Sequence, residues 1–344
     1  MENAECRMKK AKQMKTRTIV PLAVALLLSA LNSQLSTVVA QGSLTPPGAP
    51  SATMKSLAQI EPRTPISSAP FTIAVSGSYY LTTNMTVSSG NAITIATNGV
   101  TVDLNGFTIA STAASAAGTA ISLASALSDI TIVNGHIRSG VTNNGSGVYS
   151  GSGFGYGIYY SGTQPVNMVV SKLSVADVLY DGIHLATGYA TVVENCTVTT
   201  AGSKGIVAAT IKGSVATDCG QSAISGDQVT DCRGYCTGSS YGILTTSAQN
   251  CYGISINGNG LRALTAQNCY GQSTGGIGLF VYSNAQNCYG QSSSSTGLYA
   301  SDSAIGCSGS STSGTGLWAY IANSCRGTST SGTAQNITYK YNMP

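Results

Sequence analysis

Lys172, Asp177, Asp181, His184 and Glu194 fall close together in the chain, with Arg138 shortly before them. Side chains of these types can cut polysaccharides in two ways. Hydrolysis needs a general acid facing a second carboxylate across the glycosidic bond. Elimination needs a base, such as Lys or Arg, to take the proton beside a uronate carboxylate, often with a metal such as calcium neutralising that carboxylate. Lys172, Asp181, His184 and Glu194 are therefore the candidate catalytic residues. Three of them also have a plain structural reading. Asp181 directly precedes Gly182 and suits a turn, Lys172 can send its ammonium to water from a corner, and the alternation Ile183, His184, Leu185 simply turns His184 outward.

A second set of residues suits binding rather than proton transfer. Gly-Leu or Gly-Ile pairs recur as strand starts, and the next position outward is Arg262, Phe280, Tyr299 and Trp318 in successive coils. Two residues further on come Leu264, Tyr282, Ser301 and Tyr320, while the inward positions between are small: Ala263, Val281, Ala300 and Ala319. Arg262, Phe280, Tyr282, Tyr299, Trp318 and Tyr320 are thus expected on one exposed face without an acidic residue, as candidate ligand-binding residues. Such a face suits the apolar side of sugar rings or a flat protein partner. The competing reading is ring-on-ring stacking that stabilises the fold by about 0.5–1.5 kcal/mol per pair. Tyr252, Tyr270 and Tyr289 form a second aromatic column.

The elements that must hold both sets are legible in a repeat. Ala-Gln-Asn-Cys-Tyr-Gly occurs three times, opening at Ala248, Ala266 and Ala285. A period this short with no helical pattern reads as one β-solenoid coil per repeat. Val100–Ile109 and Ile130–Ile137 each read as strand, Asn-Gly corner, strand. Aligning later coils on that corner gives Asn105, Asn134, Lys172, Asn195, Asp218, Asp231, Asn250, Asn268, Asn287, Gly306 and Ser324. The position after it is a cysteine ladder, Cys196, Cys219, Cys232, Cys251, Cys269, Cys288, Cys307 and Cys325, expected inside as small core residues. Export would permit disulfides. No metal site is expected, since only Cys232 and Cys236 are close in sequence and matching His ligands are missing. The expected architecture is all-β, a parallel β-helix of eleven to thirteen coils.

The first 40 residues read as a signal peptide, with a basic start at Lys9 to Arg17, an apolar run from Leu22 to Leu31 and small residues before Gln41. Residues 41–69 are Pro-rich and read as a linker with a candidate N-terminal cap, and residues 70–344 as the β-helix. Of the 16 basic and 12 acidic residues, 6 and 2 precede Gln41, which leaves 10 of each and a net charge of zero. No basic stripe remains, so neither nucleic acid nor a membrane beyond the export signal is an expected partner. The Ser/Thr-rich loops 292–296 and 328–333 are too irregular for a flat ice- or mineral-binding array.

The Val-Asp-Leu-Asn-Gly-Phe-Thr-Ile opening, the Asn corner and starts such as Asp181-Gly182-Ile183-His184 resemble the right-handed parallel β-helix proteins of the pectate-lyase-like superfamily. The likeness covers Phe71 to Tyr341. Thr53–Ile66 looks like the leader of secreted β-helix proteins from planctomycete- and verrucomicrobium-like bacteria. The resemblance implies a secreted, extracellular, cell-surface or periplasmic protein. It leaves the activity open, because one fold hosts lyases, hydrolases, adhesins and scaffolds. The Asn-Thr-Asp, Asp-Asp, Gly-His-Gly and Arg-Ile-Lys signatures of polygalacturonase-like hydrolases are absent, and Asn134-Gly135-His136-Ile137 is only superficially similar to the third; no pectate-lyase calcium cluster is seen. The expectation is a non-catalytic, cofactor-free β-helix that binds a polysaccharide or cell-surface glycan or serves structurally. The alternative is a lyase on acidic polysaccharide, with calcium as its metal, ahead of a glycoside hydrolase.

Overall fold

A computed structural model describes residues 61–343 apart from 161, 163, 164, 188 and 189. The signal-peptide reading and most of the linker therefore lie outside the described residues. Among the described residues every regular element is a strand. The chain winds as a parallel β-helix of about 14 turns, more than the sequence suggested. At about 4.8 Å per rung that is roughly 60–65 Å along the axis. The winding starts earlier than expected, where Thr64–Ile66 pairs with Tyr79–Leu81 inside the stretch read as linker or cap, and a coil at Gln335–Tyr341 follows the last aligned corner, Ser324.

Each coil contributes to three parallel sheets. The first runs through Val100–Asp103, Thr191–Glu194 and Thr265–Gln267, the second through Thr108–Ser111, Thr197–Ala201 and Tyr270–Ser273, and the third through Ile93–Ile95, Ile183–His184 and Leu279–Val281. Alternation of apolar and polar residues makes these strands, because one face of each must be buried. The consequence is a set of in-register columns, as in Leu261, Leu279, Leu298 and Leu317, all fully buried.

The corner between the first and second sheets requires left-handed backbone. Asn105, Asn134, Lys172, Asn195, Asp231, Asn250, Asn268, Asn287 and Ser324 all have φ between 50° and 62° there. Asn tolerates this region best among side-chain-bearing residues, and its amide then links coils, as from Asn268 Nδ2 to Asn250 Oδ1 at 3.3 Å.

One assignment in this column is corrected by the strand register. Glu194 pairs with Lys212 and Lys212 with Thr230, so the corner after Asn195 is Gly213, and the ladder position after Cys196 is Ser214. Asp218 instead lies beside Thr200 and Asp177 in a second left-handed column within the second sheet. Cys219 pairs with Cys236, outside the main ladder. The dipeptide Asp218-Cys219 imitates Asp231-Cys232, whereas Gly213-Ser214 meets the same needs with different residue types. Glycine reaches positive φ freely, and the Ser214 hydroxyl donates to Lys212 O at 2.9 Å.

The recurring glycine of the repeat marks a pinch in the cross-section. A Cβ on Gly271 or Gly290 would lie 2.2 Å from the carbonyl oxygen of Gly278 or Gly297 on the opposite wall. No side chain fits between them.

Candidate functional site

The six predicted ligand-contacting residues lie together on the outer side of the third sheet and its continuation. Arg262, Phe280, Tyr299 and Trp318 are register partners on consecutive rungs. Phe280 and Tyr299 stack with centroids 4.9 Å apart and planes 3° from parallel, and Tyr299 and Trp318 stack at 4.2 Å and 9°. Tyr282 stands edge-on to Phe280 at 4.6 Å, and Tyr320 edge-on to Tyr339 at 5.3 Å. Tyr282, Tyr320 and Tyr339 are 44–49% exposed. The Arg262 guanidinium heads the column, over the rings of Tyr282, Tyr241 and Phe280 at 5.0, 5.3 and 5.9 Å, donating to the hydroxyls of Tyr241 and Tyr282.

The bordering residues differ from expectation in one respect. A bulge between Ala300 and Ser303 puts exposed Asp302 opposite Tyr320, so one carboxylate does flank the face. The second aromatic column follows the same plan in the second sheet. Arg233 lies 5.1 Å over Tyr252, which meets Tyr270 edge-on at 4.6 Å, and Tyr270 stacks on Tyr289 at 5.2 Å.

The four candidate catalytic residues are divided by the fold. Lys172 and Glu194 belong to the corner and the end of the first sheet, with Glu194 paired to Ser171 and Lys212. Asp181 and His184 open the third sheet. There they form a dyad, with Asp181 Oδ2 2.7 Å from His184 Nδ1. Asp181 Oδ1 also accepts from the Lys204 backbone N–H at 2.9 Å. Burial pushes the Asp181 carboxyl upward, but His184, the Lys204 N–H and Ser203 together hold it below the usual carboxylate range. An ionised, anchored carboxylate on Nδ1 fixes the imidazole and leaves Nε2 for proton transfer.

Sequence reasoning missed the walls of this site. Tyr159 is the register neighbour of His184, its ring 5.2 Å from the imidazole, and Tyr156 lies 4.4 Å from Tyr159 and 4.9 Å from Tyr180. The signal was Tyr156, Tyr159 and Tyr180 at the start of irregular coils, unreadable without the register.

The long insertion 139–164 supplies a hairpin, Gly140–Asn143 against Tyr149–Ser152. It lies across several coils. The Tyr149 hydroxyl meets Asp218 Oδ1 at 2.9 Å and Thr237 Oγ1 at 2.6 Å, and Asn143 Nδ2 donates to Asp218 Oδ1 at 2.7 Å. Burial raises the Tyr149 phenol well above its ordinary range. Burial likewise raises Asp177, against the pull of Arg138 and Thr200.

The cysteines from Cys196 to Cys325 are buried. Cys269 Sγ donates to Gln267 O at 3.1 Å, and its N–H donates to Cys288 Sγ at 3.4 Å, so each thiol serves the backbone of the corner. Burial pushes Cys196 up to about 11 and Cys232 up to about 12, the signature of structural rather than reactive thiols. Among the described residues no three His, Cys, Asp or Glu side chains converge as a metal site.

No protein-family model matches the chain, and no curated protein is similar to it. Two solved structures are similar. One is the enzymatically active domain of bacteriophage CBA120 tailspike protein 2, at 13% identity and TM-score 0.31 over 73% of this chain and 36% of that one. The other is the Dettilon tailspike protein, at 14% identity and TM-score 0.29 over 82% of this chain and 55% of that one. The chain thus spans between about a third and about half of those proteins. At such scores the likeness says nothing about activity, and the fold assignment stands on the strand register.

Proposed function

We propose that this is a secreted β-helix of the pectate-lyase-like kind that binds glycan at a cell surface through the aromatic face of its third sheet, without catalysing its cleavage. One observation carries the reading: three rings on consecutive rungs share a face with the exposed Tyr282, Tyr320 and Tyr339. A contiguous exposed aromatic surface on a chain with equal numbers of acidic and basic residues after Gln41 favours contacts made by stacking rather than charge. A glycan array probed at low and high salt tests it. Binding that persists in high salt and falls in Trp318→Ala is expected; the reading fails if no glycan binds, or if added salt abolishes binding.

The Asp181–His184 hydrogen bond favours a second reading, a lyase acting on acidic polysaccharide. Here His184 Nε2 would take the proton beside the uronate carboxylate, with Tyr156 and Tyr159 as walls and calcium as an added charge-neutralising ion. Elimination leaves an unsaturated sugar that absorbs in the ultraviolet. A uronate panel with and without calcium that yields no such product removes this reading.

A further inference from the structure

The aromatic column consumes its own ring faces. With planes within 3° and 9° of parallel and centroids 4.9 and 4.2 Å apart, Phe280, Tyr299 and Trp318 turn their faces along the solenoid axis and their edges to solvent. Tyr299 is covered on both sides. Phe280 has Tyr299 on one face and the Arg262 guanidinium 5.9 Å from its centroid, and that guanidinium is itself engaged by Tyr241 and Tyr282. Stacking on a sugar needs a free face. Only the end of the column offers one.

At that end the register partner of Trp318 is Asn336, not another ring. An indole reaches further from the backbone than an asparagine amide, so the outer part of the Trp318 face stands clear above Asn336. The exposed pair Tyr320 and Tyr339 lies nearby on the same two coils. Asp302, exposed opposite Tyr320, adds a negative charge, while Arg262 is three rungs away, about 14 Å. The exposed Lys340 follows Tyr339 on the last strand, but its register partner is the inward Ala322, so Asp302 is the charge beside Trp318 on the outer face and a uronate would meet it first.

Resting on the glycan-binding reading above, we infer that the surface has one stacking subsite, the outer face of Trp318, and that it takes a neutral pyranose. The Asn336 amide hydrogen-bonds the sugar hydroxyls, and Tyr320 and Tyr339 bound the subsite. The rest of the column is the support that fixes the indole.

The single tryptophan of the chain makes this testable. The full chain is titrated with cellohexaose, mannohexaose and hexagalacturonate, following both heat and tryptophan emission. A neutral hexaose should bind with the two signals sharing one midpoint. Trp318→Ala should weaken binding at least about tenfold, as for a lost aromatic anchor. Asn336→Ala should weaken it about threefold or more, and Phe280→Leu, which alters the support and not the stacking ring, should weaken it by less than Trp318→Ala does. Trp318→Phe, which keeps a ring, should recover part of the loss and guards against misfolding of the alanine variant. Heat of binding with unchanged emission, or a Phe280→Leu loss equal to that of Trp318→Ala, overturns the terminal subsite and leaves the glycan reading standing. Tighter binding of hexagalacturonate overturns the neutral-sugar assignment. Binding of none of the three overturns the subsite, and a glycan array empty as well takes the broader reading with it.

Discussion

The backbone N–H of Cys196 donates to the hydroxyl of Ser214 one coil further on, 3.1 Å away, where other coils offer a thiol. The same exchange occurs in reverse at the next step, where Ser214 N–H reaches Cys232 Sγ at 3.5 Å. What the ladder requires is a small side chain that donates to one backbone carbonyl and accepts from one N–H. Sulfur is one solution.

Cys269→Ser should therefore stay within about 1 kcal/mol of the parent in denaturant melts, since its hydroxyl inherits Gln267 O as acceptor. Cys269→Asp and Cys288→Asp bury an unpaired charge and should lose about 3–5 kcal/mol. Aspartate variants melting like the parent would place these residues outside the core.

Tyr299 makes two stacking contacts, so Tyr299→Ala should cost about 1–3 kcal/mol from stacking alone. A double-mutant cycle between Tyr299→Leu and Trp318→Leu should return a coupling of about 0.5–1.5 kcal/mol. A coupling of zero would mean the rings are neighbours that do not support one another.

Gly271→Ala should destabilise by about 3 kcal/mol or more, because backbone on the opposite wall must retreat. An exposed Ser293→Ala in the following coil serves as the control and should be nearly silent. Equal melting of the two would show that the walls are further apart at this pinch than described.

The Asp181 carboxyl is held below its unfolded value. Its contribution is thus complete above the ordinary carboxylate range and is lost as pH falls through the lower folded value. Asp177 is shifted the opposite way by burial, so its ionisation opposes folding as pH rises through the ordinary carboxylate range towards its raised folded value. Acid melts of Asp181→Asn should show a shallower loss of stability below that range than the parent, and those of Asp177→Asn a stability gain at neutral pH. Parallel acid profiles for parent and Asp181→Asn would remove the carboxylate from this account.

The coil path was legible wherever residue type and backbone demand coincide. Asn250, Asn268 and Asn287 announce a left-handed corner, and Leu279, Leu298 and Leu317 announce a buried column. The register went astray at Asp218 because a similar dipeptide meets a different demand there, and only strand pairing separates the two. The aromatic face was legible as a set of outward positions, but not the planes of its rings. Those depend on contacts between coils, and they decide which faces a ligand can reach. Likewise, the alternation around His184 gave its direction, whereas its bond to Asp181 depends on a turn that brings back a residue three positions earlier. Tyr159 joins the site only through the register of its strand with the next coil.

The matched register of coils 250–305 has a further consequence for how such a chain can change. Tyr252, Tyr270 and Tyr289 are register partners on consecutive rungs, as are Gly253, Gly271 and Gly290. Removing one complete repeat would bring together two surfaces that already fit a copy of what was lost. Copy number is then a heritable variable separate from the fold, and unequal recombination between near-identical repeats can lengthen or shorten the rod in whole steps while leaving Trp318 and the irregular coils around His184 intact.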